Sequence, residues 1–297
     1  MEAINYLLLG GAGFIGSHLV HALVAAGHAV TVVDNRQRKT GIPLPEACTF
    51  FEADVRDLGD GCRDILDAEW DVVVHLASVV GVPNVLAAPD ETLKIGWAAM
   101  MLALGLQAKK HVLASTSEVY GPDCPVTVET KPVVIPDPTA PRAAYAVSKA
   151  WAEAMLAQSG HDYVILRFHN VYGPAMGMDH VIPMFCQQLR GTDPLHVDDP
   201  TAVRAFCYID DAVRGILAAM DLSRAIVNIG NPEEPVTMLR LMERLLRVVS
   251  DTKPIQTGAT RGYPRVRIPG VARLRETGWW PTWGLDQGLR VMWEAYR

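Results

Sequence analysis

No stretch of this sequence approaches the roughly twenty consecutive apolar residues that a bilayer-spanning helix needs. The alanine-rich region near Met100 comes nearest and is interrupted by Gly105 and Gln107. The apolar start, MEAINYLLLGGAGFIG, is short, broken by glycines and free of a basic region, so neither a membrane span nor a targeting segment is expected. Cysteine is scarce. Cys48, Cys62, Cys124, Cys186 and Cys207 are odd in number, widely spaced and never arranged as C-x-x-C. That pattern excludes a disulfide framework, points away from a metal site, and fits a reduced cytoplasmic chain. A basic excess is also missing: Lys and Arg total 27 against 33 Asp and Glu, for a formal charge of −6, so no nucleic-acid partner is expected. The short cluster Arg36, Arg38 and Lys39 reads as a solvated loop. Internal repeats and low-complexity segments are absent. What is present is ample apolar material: 297 residues, 49% hydrophobic and 20% charged, enough for one large α/β domain with a smaller lobe.

The order of apolar runs points to a parallel sheet. Ile4–Leu9 is a continuous apolar run ending at glycine, as suits a strand buried on both faces. Phe14–Ala26 follows with helical spacing, and Ala29–Val33 is a second strand ending at Asp34. Cys48–Ala53, Val72–Leu76, His111–Ala114 and Tyr163–Phe168 are further strands, with helices at Ala98–Leu106 and Tyr145–Gln158. Strands alternating with helices describe β-α-β units. Beyond Phe168 proline and glycine accumulate, and helices are expected at Asp211–Met220, Met238–Val249 and Leu285–Ala295. This later part reads as a smaller mixed lobe whose chain returns to the sheet once or twice.

Between the first strand and first helix lies Gly10-Gly11-Ala12-Gly13-Phe14-Ile15-Gly16. Glycines there let the backbone approach a pyrophosphate, while the helix N-terminus offers free N–H groups and a positive dipole end. Strand before, helix after and an acid at the end of strand two together make a dinucleotide site. The acid is Asp34, 18 residues beyond Gly16; it suits ribose hydroxyls and repels a 2′-phosphate, favouring NAD over NADP. A turn-capping role for Asp34 beside Asn35 is the plainer alternative, and Arg36 and Arg38 could welcome a phosphate. Asp54, with Val55 after it, stands where an adenine edge could be met.

Tyr145 and Lys149 stand four residues apart on one expected helix, hence on one face. A neighbouring ammonium favours the phenolate and lowers a tyrosine pKa from about 10, so the pair could take a proton from a hydroxyl during hydride removal. Ser115-Thr116-Ser117 directly follow the strand His111–Ala114, at the sheet edge where ligands sit, although three hydroxyls could equally cap a helix or turn.

Taken together, GGAGFIG, Asp34, HLAS (75–78), STSEVYG (115–121), YAVSK (145–149), LRFHNVYGP (166–174) and VRAFCYIDDAV (203–213) resemble, in this order, the extended short-chain dehydrogenase/reductases. The resemblance is to their NAD-dependent nucleotide-sugar epimerase/dehydratase group. It covers residues 7 to about 215 and continues more weakly to GWWPTWGLDQGL (278–289). It implies a Rossmann-type doubly wound parallel sheet with a smaller C-terminal mixed α/β substrate lobe, divided near residue 170 into 1–170 for NAD and 171–297 mainly for the nucleotide sugar. It also implies bound NAD held by Gly10, Gly13, Phe14, Ile15, Gly16, Asp34, Asn35, Asp54, Val55, Leu76, Ala77, Ser78, Tyr145 and Lys149. Thr116, Tyr145 and Lys149 take the triad positions for oxidation at sugar C4. Thr116 and Asn170 would face the sugar and its phosphates, and Arg204 the diphosphate. A second diphosphate contact falls to Arg265 or Arg267, in a segment where the family's usual Asp is replaced by Gly270.

Ser117 and Glu118 stand where the family's dehydratases carry an acid–base pair, so a dehydratase is favoured over a UDP-glucuronate decarboxylase-like enzyme or a 4-epimerase. Residues 174–180 follow none of these subgroups. Outside catalysis, the fold also suits a silent NAD(H)-binding sensor or scaffold, against which the intact triad argues. A homodimer is expected through the Ala98–Leu106 and Tyr145–Gln158 helices, with Trp151 and Met155 as seam candidates.

Overall fold

The computed structural model describes residues 2–38, 40–58, 62–122, 124–140, 142–259 and 266–297. Seven strands form the central sheet: β1 Asn5–Leu9, β2 Ala29–Asp34, β3 Thr49–Glu52, β4 Glu69–His75, β5 Gln107–Thr116, β6 Asp162–Phe168 and β7 Ala225–Ile229. Their spatial order is β7-β6-β5-β4-β1-β2-β3, with every pairing parallel. The chain runs outward from β1 in one direction through β2 and β3, then returns to β4 and runs the other way. The reversal leaves a crevice at the C-terminal ends of β1 and its neighbours, which is where this kind of sheet binds ligands.

Both faces of the sheet are covered, which is why its strands read as unbroken apolar runs. Alternate residues serve opposite layers. Leu8, Val32, Val74, Val112 and Leu166 point into one core, and Leu7, Leu9, Val33, Val73, Leu113 and Ile165 into the other. Leu7, Leu8 and Leu9 are fully buried, each contributing roughly 1.5–3 kcal/mol relative to exposure. The first core is closed by α1 (Phe14–Ala25) and by the later helices Ile209–Met220, Met238–Val249 and Leu285–Tyr296. The second is closed by α2 (Pro89–Gly105) and α3 (Ala143–Gln158). These two helices press close together: a Cβ on Gly96 would lie 1.9 Å from the Ser148 hydroxyl.

Three differences from the sequence expectation have physical causes. Helix α2 begins at Pro89 rather than Ala98. The buried residues of its first half are Thr92 and Gly96, small side chains that give a weak hydrophobic period. The helix Val181–Arg190 was not expected, because prolines crowd that region; Pro183 falls in its first turn, where no intrahelical N–H is needed. The strand β7 has five residues and was hidden among loop signals, yet it pairs with β6 from Ala225↔Val164 to Ile229↔Phe168.

Three smaller sheets are found among the described residues. The largest is four-stranded, in the order Val236–Thr237, Val203–Arg204, Val266–Pro269, Val126–Thr127. Its parallel pairing sets Arg204 directly opposite Arg267. No helix among the described residues is long and apolar enough to cross a membrane. All five cysteines are free.

Candidate active site

The glycine-rich turn joins β1 to α1. Gly10 N donates to the Val33 carbonyl at 2.8 Å, and a Cβ on Gly10 would lie 2.5 Å from the Ala77 nitrogen. Only glycine lets the turn sit so tightly against the exit of β4, where Leu76, Ala77 and Ser78 follow. Above Gly13 the space is open, a Cβ there meeting nothing nearer than the Gly10 carbonyl at 3.4 Å. Gly13 is the N-cap of α1, whose first turn (Phe14, Ile15, Gly16) has neither a side-chain cap nor an acidic residue. Free N–H groups and the dipole end are thus left for an anion. This cradle fits the pyrophosphate of a dinucleotide.

Asp34 closes one end of the cradle. Its carboxylate accepts from Ala12 N at 3.0 Å and Arg36 N at 2.7 Å, so it caps the local turn as well as facing the groove. Burial raises its pKa, and the two backbone donors oppose that rise. Asn35 donates to Asp54 at 2.9 Å; Asp54 is gripped by Arg56, whose hydrogen bonds hold its carboxyl well below the usual range. Val55 is half-buried beside it. The arginine cluster is not simply a solvated loop. Arg36 stacks over Phe50 at 4.2 Å, and Arg38 is ion-paired with Asp179 at 2.7 Å. Lys39 and Arg265 lie outside the described residues.

At the other end of the groove α3 presents Tyr145, Lys149 and Glu153 on one face, four residues apart. Lys149 is 4% exposed and donates to the Ala114 carbonyl at 2.8 Å. Burial pushes its pKa down to about 8, with Glu153 pulling the other way. Its nitrogen lies 5.9 Å from the centre of the Tyr145 ring. The expected lowering of the tyrosine is not found in the chain alone. Burial raises the Tyr145 phenol, the Glu118 charge adds to the rise, and only the hydrogen bond with Thr116 opposes it. Thr116 also accepts from Glu118 N at 3.2 Å, so it caps the short turn Ser117–Tyr120 while facing Tyr145. Ser117 is buried in that turn. His75, beside Lys149 and buried, is pushed down to about 3 by burial and by the ammonium, hence neutral.

Glu118 accepts from Arg142 at 3.3 Å. Arg267 is 9% exposed, donates to the Gly121 carbonyl at 3.2 Å, and is lowered to about 10 by burial. Arg204 lies opposite Arg267 across the strand pair and donates to its neighbour's Val203 carbonyl at 2.8 Å. Asn170 has a positive φ of 40° and donates to the Ala205 carbonyl at 3.3 Å, which anchors the segment after Arg204. The triad, Glu118, Arg204 and Arg267 therefore share one cleft edge.

Sequence reasoning missed Arg142, although its place three residues before Tyr145 put it at the same helix end. It also missed the buried network below the site. Glu153 receives two hydrogen bonds from Arg167, at 3.0 and 2.6 Å, and one from Ser115. Arg167 also lies over the Tyr120 ring at 4.7 Å.

The family model described as "NAD dependent epimerase/dehydratase family" matches residues 6–230. The chain belongs to that family, and NAD is its cofactor. A UDP-glucuronic acid decarboxylase 1 of Xenopus tropicalis is 35% identical over 301 residues, covering 95% of this chain and 70% of the relative. A UDP-N-acetyl-alpha-D-glucosaminuronate decarboxylase of Bacillus cytotoxicus is 32% identical, over 98% of this chain and 97% of that one. Among solved structures, a UDP-glucose 4-epimerase of Thermotoga maritima with UDP-glucose superposes with a TM-score of 0.85 at 29% identity, over 99% and 98% of the two chains.

Proposed function

We propose that this enzyme oxidises C4 of a nucleotide-diphosphate sugar whose C5 carries a carboxylate, and then removes that carboxylate as carbon dioxide. Within the epimerase/dehydratase chemistry this reading prefers decarboxylation to the dehydration that Ser117 and Glu118 first suggested. The observation that carries it is Arg142, 3.3 Å from Glu118, beside the paired Arg204 and Arg267 of the neighbouring strands. With Arg204 and Arg267 given to the diphosphate, the third guanidinium of Arg142 suits a further negative charge on the sugar. Relatives named as decarboxylases of uronic acid nucleotides support the same choice.

In this reading Gly10, Gly13 and Gly16 cradle the NAD pyrophosphate, Asp34 and Asn35 take the adenosine ribose, and Tyr145 and Lys149 the nicotinamide ribose. Bound NAD supplies the acceptor, and afterwards the donor, of the C4 hydride. Tyr145, with Thr116 and the Lys149 ammonium beside it, takes the C4 hydroxyl proton. A C4 ketone is β to the C5 carboxylate. The C5–carboxyl bond breaks, its electron pair enters the C4–C5 enolate, and carbon dioxide leaves; a proton then returns to C5. No base is needed at C5, so Glu118 orients the sugar. Arg204, Arg267 and Asn170 hold the diphosphate. Residues 1–170 serve mainly NAD and 171–297 mainly the sugar nucleotide, the whole working in the cytoplasm.

Incubation with UDP-glucuronate, UDP-N-acetylglucosaminuronate and neutral UDP-, GDP-, CDP- and dTDP-sugars, followed by mass spectrometry, tests this. Loss of carbon dioxide from a uronate is expected; loss of water from a neutral sugar returns the dehydratase to first place. Glu118→Gln sharpens the distinction, since a decarboxylase still forms product more slowly, whereas a dehydratase stalls with NADH and a 4-keto sugar.

The same reading includes a homodimer. Leu93, Trp97 and Met101 form an outward stripe on α2, with Trp97 56% exposed. Trp151 and Met155 on α3 are half-buried against the second core. Trp97→Glu is expected to convert a dimer to a monomer in sedimentation velocity at micromolar concentration. A parent protein that already sediments as a monomer defeats this part of the reading.

A further inference from the structure

We propose that Asp179 is a latch across the dinucleotide groove, which keeps NAD resident and withholds Arg38 from a 2′-phosphate. The inference rests on the reading of the glycine-rich crevice as the NAD site. Arg38 lies on the loop after β2, past the ribose-facing Asp34, where an arginine would otherwise favour NADP. Asp179 comes from a distant segment, between the Val171–Tyr172 strand and the helix Val181–Arg190. One of its oxygens accepts from Arg38 Nη2 at 2.7 Å, and the other from Asn84 Nδ2 at 3.4 Å.

These two partners stand on opposite banks. The Arg38 loop is tied to the glycine-rich turn by Thr40, whose hydroxyl donates to the Ala12 carbonyl at 3.4 Å. Asn84 belongs to the short helix Val82–Ala87 that follows the β4 exit, and it donates to the Val80 carbonyl at 2.9 Å. Since β2 and β4 flank β1, a bridge from one loop to the other passes over the crevice between them. The latch segment is itself anchored: His18 of α1 contacts the Pro174 carbonyl at 3.2 Å, and the Tyr296 hydroxyl donates to the Met176 carbonyl.

The surroundings are shaped to the ion pair. A Cβ on Gly177 would lie 1.8 Å from Arg38 Nη2, and one on Gly81 would lie 1.6 Å from an Asp179 oxygen. The paired side chains are 29% and 17% exposed, so water screens them only in part. Arg36, the other arginine of the loop, stacks on Phe50 and sits 3.8 Å from Glu52. Both guanidinium groups near the ribose end are thereby committed elsewhere. A dinucleotide enters or leaves only when the Asp179 contacts open.

The test compares Asp179→Asn and Arg38→Met with the parent, each checked for folding by its melting curve. Release of NAD from the purified protein is followed by chromatography of the freed nucleotide. Binding of NAD and NADP to stripped protein is measured by calorimetry. Both variants break the pair, so both should release NAD faster, on the order of tenfold, the loss of one charge-assisted hydrogen bond. Only Asp179→Asn frees a guanidinium, so it alone should bind NADP more tightly. Release at the parental rate, or NADP binding no stronger in Asp179→Asn than in Arg38→Met, overturns the latch. If a single variant does not fold, the exchange of Arg38→Asp with Asp179→Arg restores the pair in reverse and must retain NAD. Asp34→Ala separates the two failures. NAD binding that ignores this change refutes the groove itself, whereas a weakened Asp34→Ala beside an unaltered Asp179→Asn refutes only the latch.

Discussion

Tyr145→Phe is expected to lower turnover by roughly 10²–10⁴, the range for losing a general base, while NAD stays bound. The change removes one oxygen and leaves the ring in place over α3. The phenol is hydrogen-bonded to Thr116, and the Lys149 ammonium near it is already fixed on the Ala114 carbonyl. In the chain alone burial and Glu118 hold the phenol protonated. Deprotonation therefore needs positive charge beyond that of the chain, which the oxidised nicotinamide of bound NAD would supply. Stopped-flow absorbance of NADH under single-turnover conditions measures the first oxidation directly. Near-parental NADH formation in the Phe variant removes Tyr145 from the role of base.

Arg167→Met is expected to cost about 3–5 kcal/mol of stability, because it strips the partner from a buried carboxylate. Arg167 and Glu153 are 2% and 5% exposed. Without the guanidinium, Glu153 keeps the Ser115 hydrogen bond and the more distant Lys149 charge, and Tyr120 loses the cation over its ring. Replacing both, as Arg167→Met with Glu153→Leu, should recover much of the loss, since an apolar pair carries no desolvation cost. Chemical denaturation of parent, single and double variants measures this. A single-variant loss below about 1 kcal/mol would mean that water reaches Glu153, contrary to its burial. The same network secures the active site: Glu153 lies one turn beyond Lys149, and Ser115 lies between Ala114 and Thr116.

Particular elements show why some of this was legible in the sequence. Strands β1, β2 and β6 lie within one residue of their apolar runs, because burial on both faces demands apolar residues throughout. The helix Met238–Val249 follows its apolar period without displacement. By contrast β7 is as apolar as β1, but nothing local says that it joins β6 across the 56 residues 169–224. Short strands such as Val203–Arg204 carry no period at all; they exist because neighbours from distant segments supply the hydrogen bonds.

The site divides along the same line. Local spacing was enough to read the glycine cradle, the acid after strand two and the Tyr145–Lys149 face, because each depends on a single turn or helix. It took the folded chain to set Arg142 at Glu118, to pair Arg204 with Arg267 across two strands, to satisfy Glu153 with Arg167 and Ser115, and to bring Asp179 to Arg38. Charged side chains at long separation have no periodicity to betray their partners. Their pairing is set where the folded chain brings them together and excludes enough water for the contact to hold.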